Sequence, residues 1–214
     1  MLPLQGKPLL EHIVIWLRRF NIRELIINLH YMPDSITTHF GDGADFGVRI
    51  HYSKEDKLLG TAGALDPIRD ELTNSFLVTY GDLLTDLNLE KFAGWHTKRN
   101  GDVSMAVYTV EDPTRAGIVE MDDAGMLVRF QEKPSREEAF SNLANAGVFI
   151  FAPSVLEFIP RNQYFDIGHD LIPTLLENGV KVSCYPISEY LLDIGGEERY
   201  RQAQRDLDLG KVRP

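Results

Sequence analysis

Up to about residue 81 the chain alternates strand-like and helix-like patterns, and that order limits the fold more than any other feature of the sequence. ELIINLH, Glu24 to His30, is a run of apolar residues of the kind buried on both faces of a sheet. Pro33 starts a helical stretch over Asp34 to Phe40, and the turn GDGADFG closes it. The strand VRIHYS, the segment KLLGTAGALDPI and the strongly apolar strand SFLVTYG follow. This β-α-β-α-β order predicts an α/β chain with a mostly parallel sheet and helices on both faces.

What precedes ELIINLH is unusual for such a fold. Met1 to Leu4 reads as the tail of a loop, and Leu4 to Lys7 as the turn into a helix that the spacing of Leu9, Ile13, Trp16 and Leu17 carries to about Phe20, before a turn at Asn21. The second half is richer in strands. DVSMAVYTV alternates, GIVEMDDAGMLVRFQEKP reads as a hairpin turning at Asp123 to Gly125, and NAGVFIFAP is a further strand. Helices are predicted from Pro153 to Phe158, around Asp170 to Glu177 and from Gly196 to Leu209, with the strand VKVSCYPI between the last two. No Ser- or Pro-rich linker interrupts the pattern, so residues 1–214 read as one continuous domain without repeats.

The 214 residues carry 32 acidic and 22 basic side chains, a net charge of -10. Such a balance disfavours non-specific binding to nucleic acid or to an anionic membrane. An anionic ligand would need a bound divalent cation or a few well-placed Lys and Arg to reverse the sign locally. The single cysteine, Cys184, lies in the apolar alternation VSCYPI and reads as a buried, inert thiol. The N-terminus lacks the form of a signal peptide, and no run reaches the roughly 18 apolar residues of a membrane helix. These features predict a soluble, cytoplasmic protein.

Four segments hold residues suited to chemistry. Asp82, in FLVTYGDLL, follows an apolar strand, where ligands of open α/β sheets bind; its carboxylate suits a hard cation or simply caps a turn. LGTAGAL, Leu59 to Leu65, lets backbone approach a flat ligand or a phosphate, or makes a tight connection from strand to helix. In QEKP, Gln131 to Pro134, Glu132 can accept from sugar hydroxyls and Lys133 can face a phosphate, unless the two are a solvated charge pair. In LLDIGG, Leu191 to Gly196, Asp193 again ends an apolar stretch ahead of a helix, a position that also suits an N-cap. The six histidines show no metal-binding spacing, no H-E-x-x-H or G-x-S-x-G motif occurs, and LGTAGAL fits neither the P-loop nor G-x-G-x-x-G. An inventory of carboxylates, one lysine and glycine-rich backbone fits metal-assisted phosphate chemistry better than acyl transfer.

In order and spacing these segments resemble the sugar-phosphate nucleotidylyltransferases, the NDP-sugar pyrophosphorylases. LPLQGKPLLEHIVIWL, INLHY, LGTAGALDPI, FLVTYGDLLTDLNL, FQEKP, NAGVFIF, FDIGHDLIPTLLENG and LLDIGGEERYRQA carry the likeness across nearly the whole chain. The resemblance implies a Rossmann-like mixed sheet of the nucleotide-diphospho-sugar transferase type, and an enzyme that joins a nucleoside triphosphate to a sugar 1-phosphate and releases pyrophosphate. It implies Asp82 and Asp193 as a Mg²⁺-holding pair, and Gly60, Thr61, Ala62 and Gly63 as the lining of a base pocket, largely through backbone. By the same likeness Glu132 would bind sugar hydroxyls, Lys133 the sugar phosphate, and Gly117 with Asn145 the sugar ring, so that Asp82, Lys133 and Asp193 carry the catalysis.

LGTAGAL and FDIGHDLIPTLLENG are closest in form to mannose-1-phosphate guanylyltransferases, which favours GTP and mannose 1-phosphate; glucose 1-phosphate with UTP or dTTP stays open. The expected partners are thus small molecules, with no nucleic acid and no membrane, and homo-oligomerisation stays open. The expectation for these residues is a single nucleotidyltransferase domain without a C-terminal β-helix domain. One part of the family pattern has no counterpart in these residues: a first strand, a loop of the form G-x-G-T-R-L-x-P-L-T and a Pro-Lys. The expectation is therefore an N-terminally incomplete domain with impaired turnover, against the alternative of a non-catalytic sugar-nucleotide sensor or regulatory subunit.

Overall fold

A computed structural model describes residues 1–213. In chain order the elements are β1 (Pro3–Leu4), β2 (Lys7–Pro8), α1 (Leu9–Arg19), β3 (Glu24–Leu29), α2 (Pro33–Phe40), β4 (Arg49–Lys54), α3 (Gly60–Gly63), β5 (Phe76–Thr79), β6 (Leu83–Thr85), α4 (Leu89–Arg99), β7 (Val103–Thr109), β8 (Gly117–Met121), β9 (Leu127–Glu132), β10 (Leu143–Phe151), α5 (Ile172–Glu177), β11 (Val182–Pro186), β12 (Leu191–Asp193) and α6 (Glu197–Asp208). The α/β class expected from the sequence is the class found. The chain divides into two compact units, one of Met1–Lys57, Tyr80–Leu89 and the segment from Glu189 onward, the other of Leu58–Thr79 and Glu90–Ser188.

In the first unit β3 and β4 pair in parallel, from Glu24 opposite Arg49 to Leu29 opposite Lys54. The opening residues are more ordered than a loop tail. Pro3–Leu4 and Lys7–Pro8 pair as a minimal antiparallel hairpin, turning through Gln5 and Gly6, both at positive φ (46° and 78°). Positive φ at both central residues gives the twist such two-residue turns need. The hairpin seats Leu4 in a core with Leu9, Leu84, Leu192, Ile194, Ala203, Leu207 and Val212. Helix α1 buries Leu9, His12, Ile13, Val14, Trp16 and Leu17 along one face. Its Trp16 indole N–H donates to the carbonyl of Leu87 at 2.9 Å.

The second unit holds a six-stranded sheet of order β11-β7-β10-β8-β9, with β5 also paired to β10. The sheet is mixed, and less parallel than the sequence pattern predicts: β7 and β11 run parallel, and every other pairing in it is antiparallel, because β10 runs against β5, β7 and β8 and a hairpin joins β8 to β9. Among the described residues β3 has one strand neighbour, β4, and β5 has one, β10. Helix α4 (LEKFAGWHTKR) was not expected, because its apolar positions are few and set among charges. The hairpin of β8 and β9 is as expected, closed by Gly125 N–H donating to the carbonyl of Asp122. Cys184 is buried and its thiol is pushed up to about 12, first by burial and then by Asp122, as an inert core sulfur should be. No described helix is long and apolar enough to cross a membrane.

Candidate active site

In the first unit the antiparallel pair β6 and β12 brings two distant carboxylates together. Asp193 lies opposite Leu83, and the Ile194 N–H donates to the carbonyl of Asp82 at 2.9 Å. Crowding by surrounding protein raises the Asp82 carboxyl above its ordinary pKa, and the negative charge of Asp193 raises it further; a backbone hydrogen bond opposes both. A carboxyl whose ionisation is hindered by the negative charge of a neighbour marks a place where a cation is favourable. Among the described residues no group of three or more His, Cys, Asp or Glu side chains could hold a metal, so two carboxylates are what the chain supplies. That donor set fits Mg²⁺, which takes one or two carboxylates and completes its shell with water and phosphate oxygens.

In the second unit the register of β8 with β9 puts Gly117 opposite Glu132. A Cβ at Gly117 would lie under 3.0 Å from Glu132 Oε2, and so would a Cβ at Gly168. Only two residues without side chains leave room for this carboxylate. Burial raises the Glu132 carboxyl above its ordinary pKa; Lys133 opposes the shift, Asp166 adds to it and His169 opposes it. Lys133 Nζ is 3.9 Å from Glu132 Oε1 while its side chain stays largely open to solvent, so its charge remains available to an incoming anion.

Lys133 sits at φ 42°, a left-handed conformation that lysine rarely adopts. Its N–H is held by the carbonyl of Ala116 at 3.2 Å, where β8 begins. Strain of this kind persists only where the surroundings over-determine the backbone, and it concentrates at working sites. Asn145 lies on β10 where the register with β7 shifts, between Asn145 and Phe149. Its Oδ1 accepts from the Gly147 N–H at 2.8 Å, and Gly147 takes φ 69° to make the bulge.

The glycine-rich segment forms the short helix α3, and two of its amides are committed within the protein. The N–H groups of Ala62 and Gly63 both donate to the carbonyl of Phe165, at 2.9 and 2.8 Å. Gly60 and Gly63 press on residues 163–165, and a Cβ at either would meet backbone there at 2.7 Å. Beside Gly60 stands the exposed ring of Tyr164. Asp166, Gly168 and His169, which the sequence pattern does not single out, thus border Glu132 directly or electrostatically. The available signal was an Asp two residues before a Gly in FDIGHD, a capping pattern ahead of a helical turn.

The structure therefore assembles Asp82 with Asp193 in one unit, and Gly117, Glu132, Lys133 and the Gly60–Gly63 segment in the other. The chain belongs to the nucleotidyl transferase family, whose profile matches residues 1–209. It is similar to a UTP–glucose-1-phosphate uridylyltransferase of Synechocystis sp., 34% identical over 96% of this chain and 56% of that protein. It is also similar to a mannose-1-phosphate guanylyltransferase of Mycobacterium tuberculosis, 30% identical over 98% of this chain and 58% of that one. The chain thus spans a little over half the length of these relatives. Solved structures share the fold: a UDP-glucose pyrophosphorylase complexed with UDP-glucose, at TM-score 0.84 and 20% identity over 98% of this chain and 90% of that one, and HddC from Yersinia pseudotuberculosis, at TM-score 0.83 and 22% identity over 97% and 88%.

Proposed function

We propose that this chain works in sugar-nucleotide synthesis, joining a nucleoside triphosphate to a sugar 1-phosphate with release of pyrophosphate. The observation that carries this reading is the Glu132 carboxylate, confined between Gly117 and Gly168 with the Lys133 ammonium beside it. Carboxylate and ammonium side by side match a sugar hydroxyl and a phosphate on one small molecule. GTP with mannose 1-phosphate is the favoured pair; one relative is named for UTP and glucose 1-phosphate and another for mannose 1-phosphate, so both sugars belong in the test.

In the proposed reaction a phosphate oxygen of the sugar 1-phosphate attacks the α-phosphorus of the triphosphate in line. The bond from that phosphorus to the bridging oxygen breaks, and pyrophosphate leaves with its electron pair. Such transfers need alignment and charge neutralisation more than an acid and a base. Glu132 would fix the sugar through its hydroxyls, and Gly117 and Asn145 would shape the floor under the ring. Lys133 would offset the phosphate charge, and the Leu59–Gly63 loop would meet the base. Asp82 and Asp193 would hold Mg²⁺, which when bound supplies further neutralisation of phosphate charge. Such substrates and the buried, inert Cys184 suit a cytoplasmic enzyme.

Calorimetry with mannose 1-phosphate, glucose 1-phosphate and their nucleotide sugars, with and without Mg²⁺, tests the reading. Saturable binding that weakens at least tenfold in Lys133→Ala supports it, and absence of binding by every ligand overturns it. Pyrophosphate release on adding a triphosphate then separates an enzyme from a binding subunit. Binding without release favours the second class.

A further inference from the structure

Thr61 stands at the surface of the second unit, yet both hydrogen-bonding capacities of its hydroxyl are committed. Oγ1 donates to Asp166 Oδ2 at 2.8 Å and accepts from the Ile167 N–H at 2.7 Å. The other oxygen of Asp166 accepts from the N–H groups of Gly168 and His169, at 2.9 and 3.0 Å, and so caps the wide helical turn Ile167–Leu171. A further rung ties Phe165 N–H to the carbonyl of Leu59 at 2.8 Å, beside the two amides of Ala62 and Gly63 that share the Phe165 carbonyl. The loop Leu59–Gly63 is therefore laced to residues 165–167, and the turn that follows lays Gly168 against Glu132. Turns of this π type are uncommon and recur at functional sites.

We propose that the Thr61 hydroxyl is a positioning group, a latch that ties the Leu59–Gly63 loop to the Asp166 turn and, through Gly168, fixes the Glu132 carboxylate, so that a ligand on the loop and a ligand on Glu132 strengthen each other's binding. The assignment of nucleotide to the loop and sugar to Glu132 rests on the function proposed above. The latch itself rests on the hydrogen bonds. No other path of polar contacts is needed between residues 61 and 132: the hydroxyl holds Asp166, Asp166 holds the Gly168 amide, and Gly168 leaves no room for Glu132 to swing toward it.

The test compares Thr61→Val, which keeps the shape and loses both bonds, with Thr61→Ser, which keeps the hydroxyl. Thr61→Ala replaces the valine variant should the added methyl disturb folding. In the ligand-free protein, amide exchange at Gly168 and His169 should quicken about tenfold in Thr61→Val, the loss expected for one or two hydrogen bonds. The carbon-13 titration of the Glu132 carboxyl, which faces Lys133, Asp166 and His169, should move down toward the ordinary glutamate range as water reaches it, and Thr61→Ser should restore both. With ligands, GTP should tighten mannose 1-phosphate binding severalfold in the wild type and in Thr61→Ser but not in Thr61→Val. A Glu132 titration unchanged in Thr61→Val, with faster exchange confined to residues 61–167, would reduce the hydroxyl to a local turn contact and overturn the proposal. If the wild type binds neither ligand, the functional reading fails, while the exchange and titration results still decide the latch.

Discussion

Glu132 and Asp82 are both carboxyls raised above their ordinary pKa, and they are raised by different surroundings. At Glu132 the cause is enclosure: two glycines make the space, a strained lysine supplies the cation, and Asp166 adds its charge from the capped turn. At Asp82 crowding comes first as well, but the next cause is another carboxylate, Asp193, and the balancing charge has to be brought in. The surroundings of Glu132 are thus preformed in shape and charge, whereas the Asp82–Asp193 pair is preformed in shape alone. Under the proposed function, a chain of net charge -10 acting on polyanions would use both arrangements: a lysine can sit permanently beside a glutamate, while the carboxylate pair would gain its balancing charge only with a bound cation.

The sharpest way to break this contrast is to fill the space around Glu132. Gly168→Ala should displace the carboxylate at an overpacking cost of about 2 kcal/mol, enough to weaken sugar 1-phosphate binding roughly thirtyfold. Calorimetry measures this directly. Gly94→Ala is the control: its Cβ meets nothing within 4 Å, so the helix interior should gain about 1 kcal/mol with binding unchanged. Equal binding losses in both variants would mean that the enclosure of Glu132 is unimportant.

Next in size is Lys133→Gly, which pulls stability and binding apart. Glycine tolerates φ 42°, so the variant should be more stable by up to about 1 kcal/mol in chemical denaturation. It should at the same time bind sugar 1-phosphate about tenfold more weakly, the order of one lost charge-assisted contact. Removing the ammonium that opposes the Glu132 shift should also carry the Glu132 titration higher still. A less stable variant would show that the left-handed turn is not strained.

These residues were open to a sequence reading in unequal degree. Glu132 and Lys133 end a β-hairpin whose alternation is plain, and Asp82 and Asp193 each close an apolar run, so local pattern marks all four. The reading also anticipated parallel pairing in the first half, seen in β3 and β4. The hairpin of residues 3–8 stayed hidden because two-residue strands carry no periodicity and only Gly6 marks the turn. Helix α4 stayed hidden because LEKFAGWHTKR is mostly polar. Thr61 and Asp166 are 105 residues apart, and nothing in GTAG or FDIG alone shows that a hydroxyl from one caps the turn of the other. Likewise Gly168 reads as a loop glycine until the fold sets it against a carboxylate.

The smallest effect belongs to the open carboxylate pair and tests its half of the contrast. Because the folded-state pKa of Asp82 is raised, the stability tied to its neutral form is present below the unfolded pKa and is lost as pH rises through the folded value. At pH 7 without divalent cations the wild type therefore carries a penalty that Asp82→Asn lacks. Since Asp82 is solvent-facing the gain is small, a rise in Tm of about 1–2 °C, and it should vanish near pH 3, where the wild-type carboxyl is also neutral. Adding Mg²⁺ should raise the Tm of the wild type and leave the variant where it was, because a cation that binds only the folded carboxylate pair stabilises by mass action. A variant that gains as much from Mg²⁺ as the wild type would remove Asp82 from the cation site.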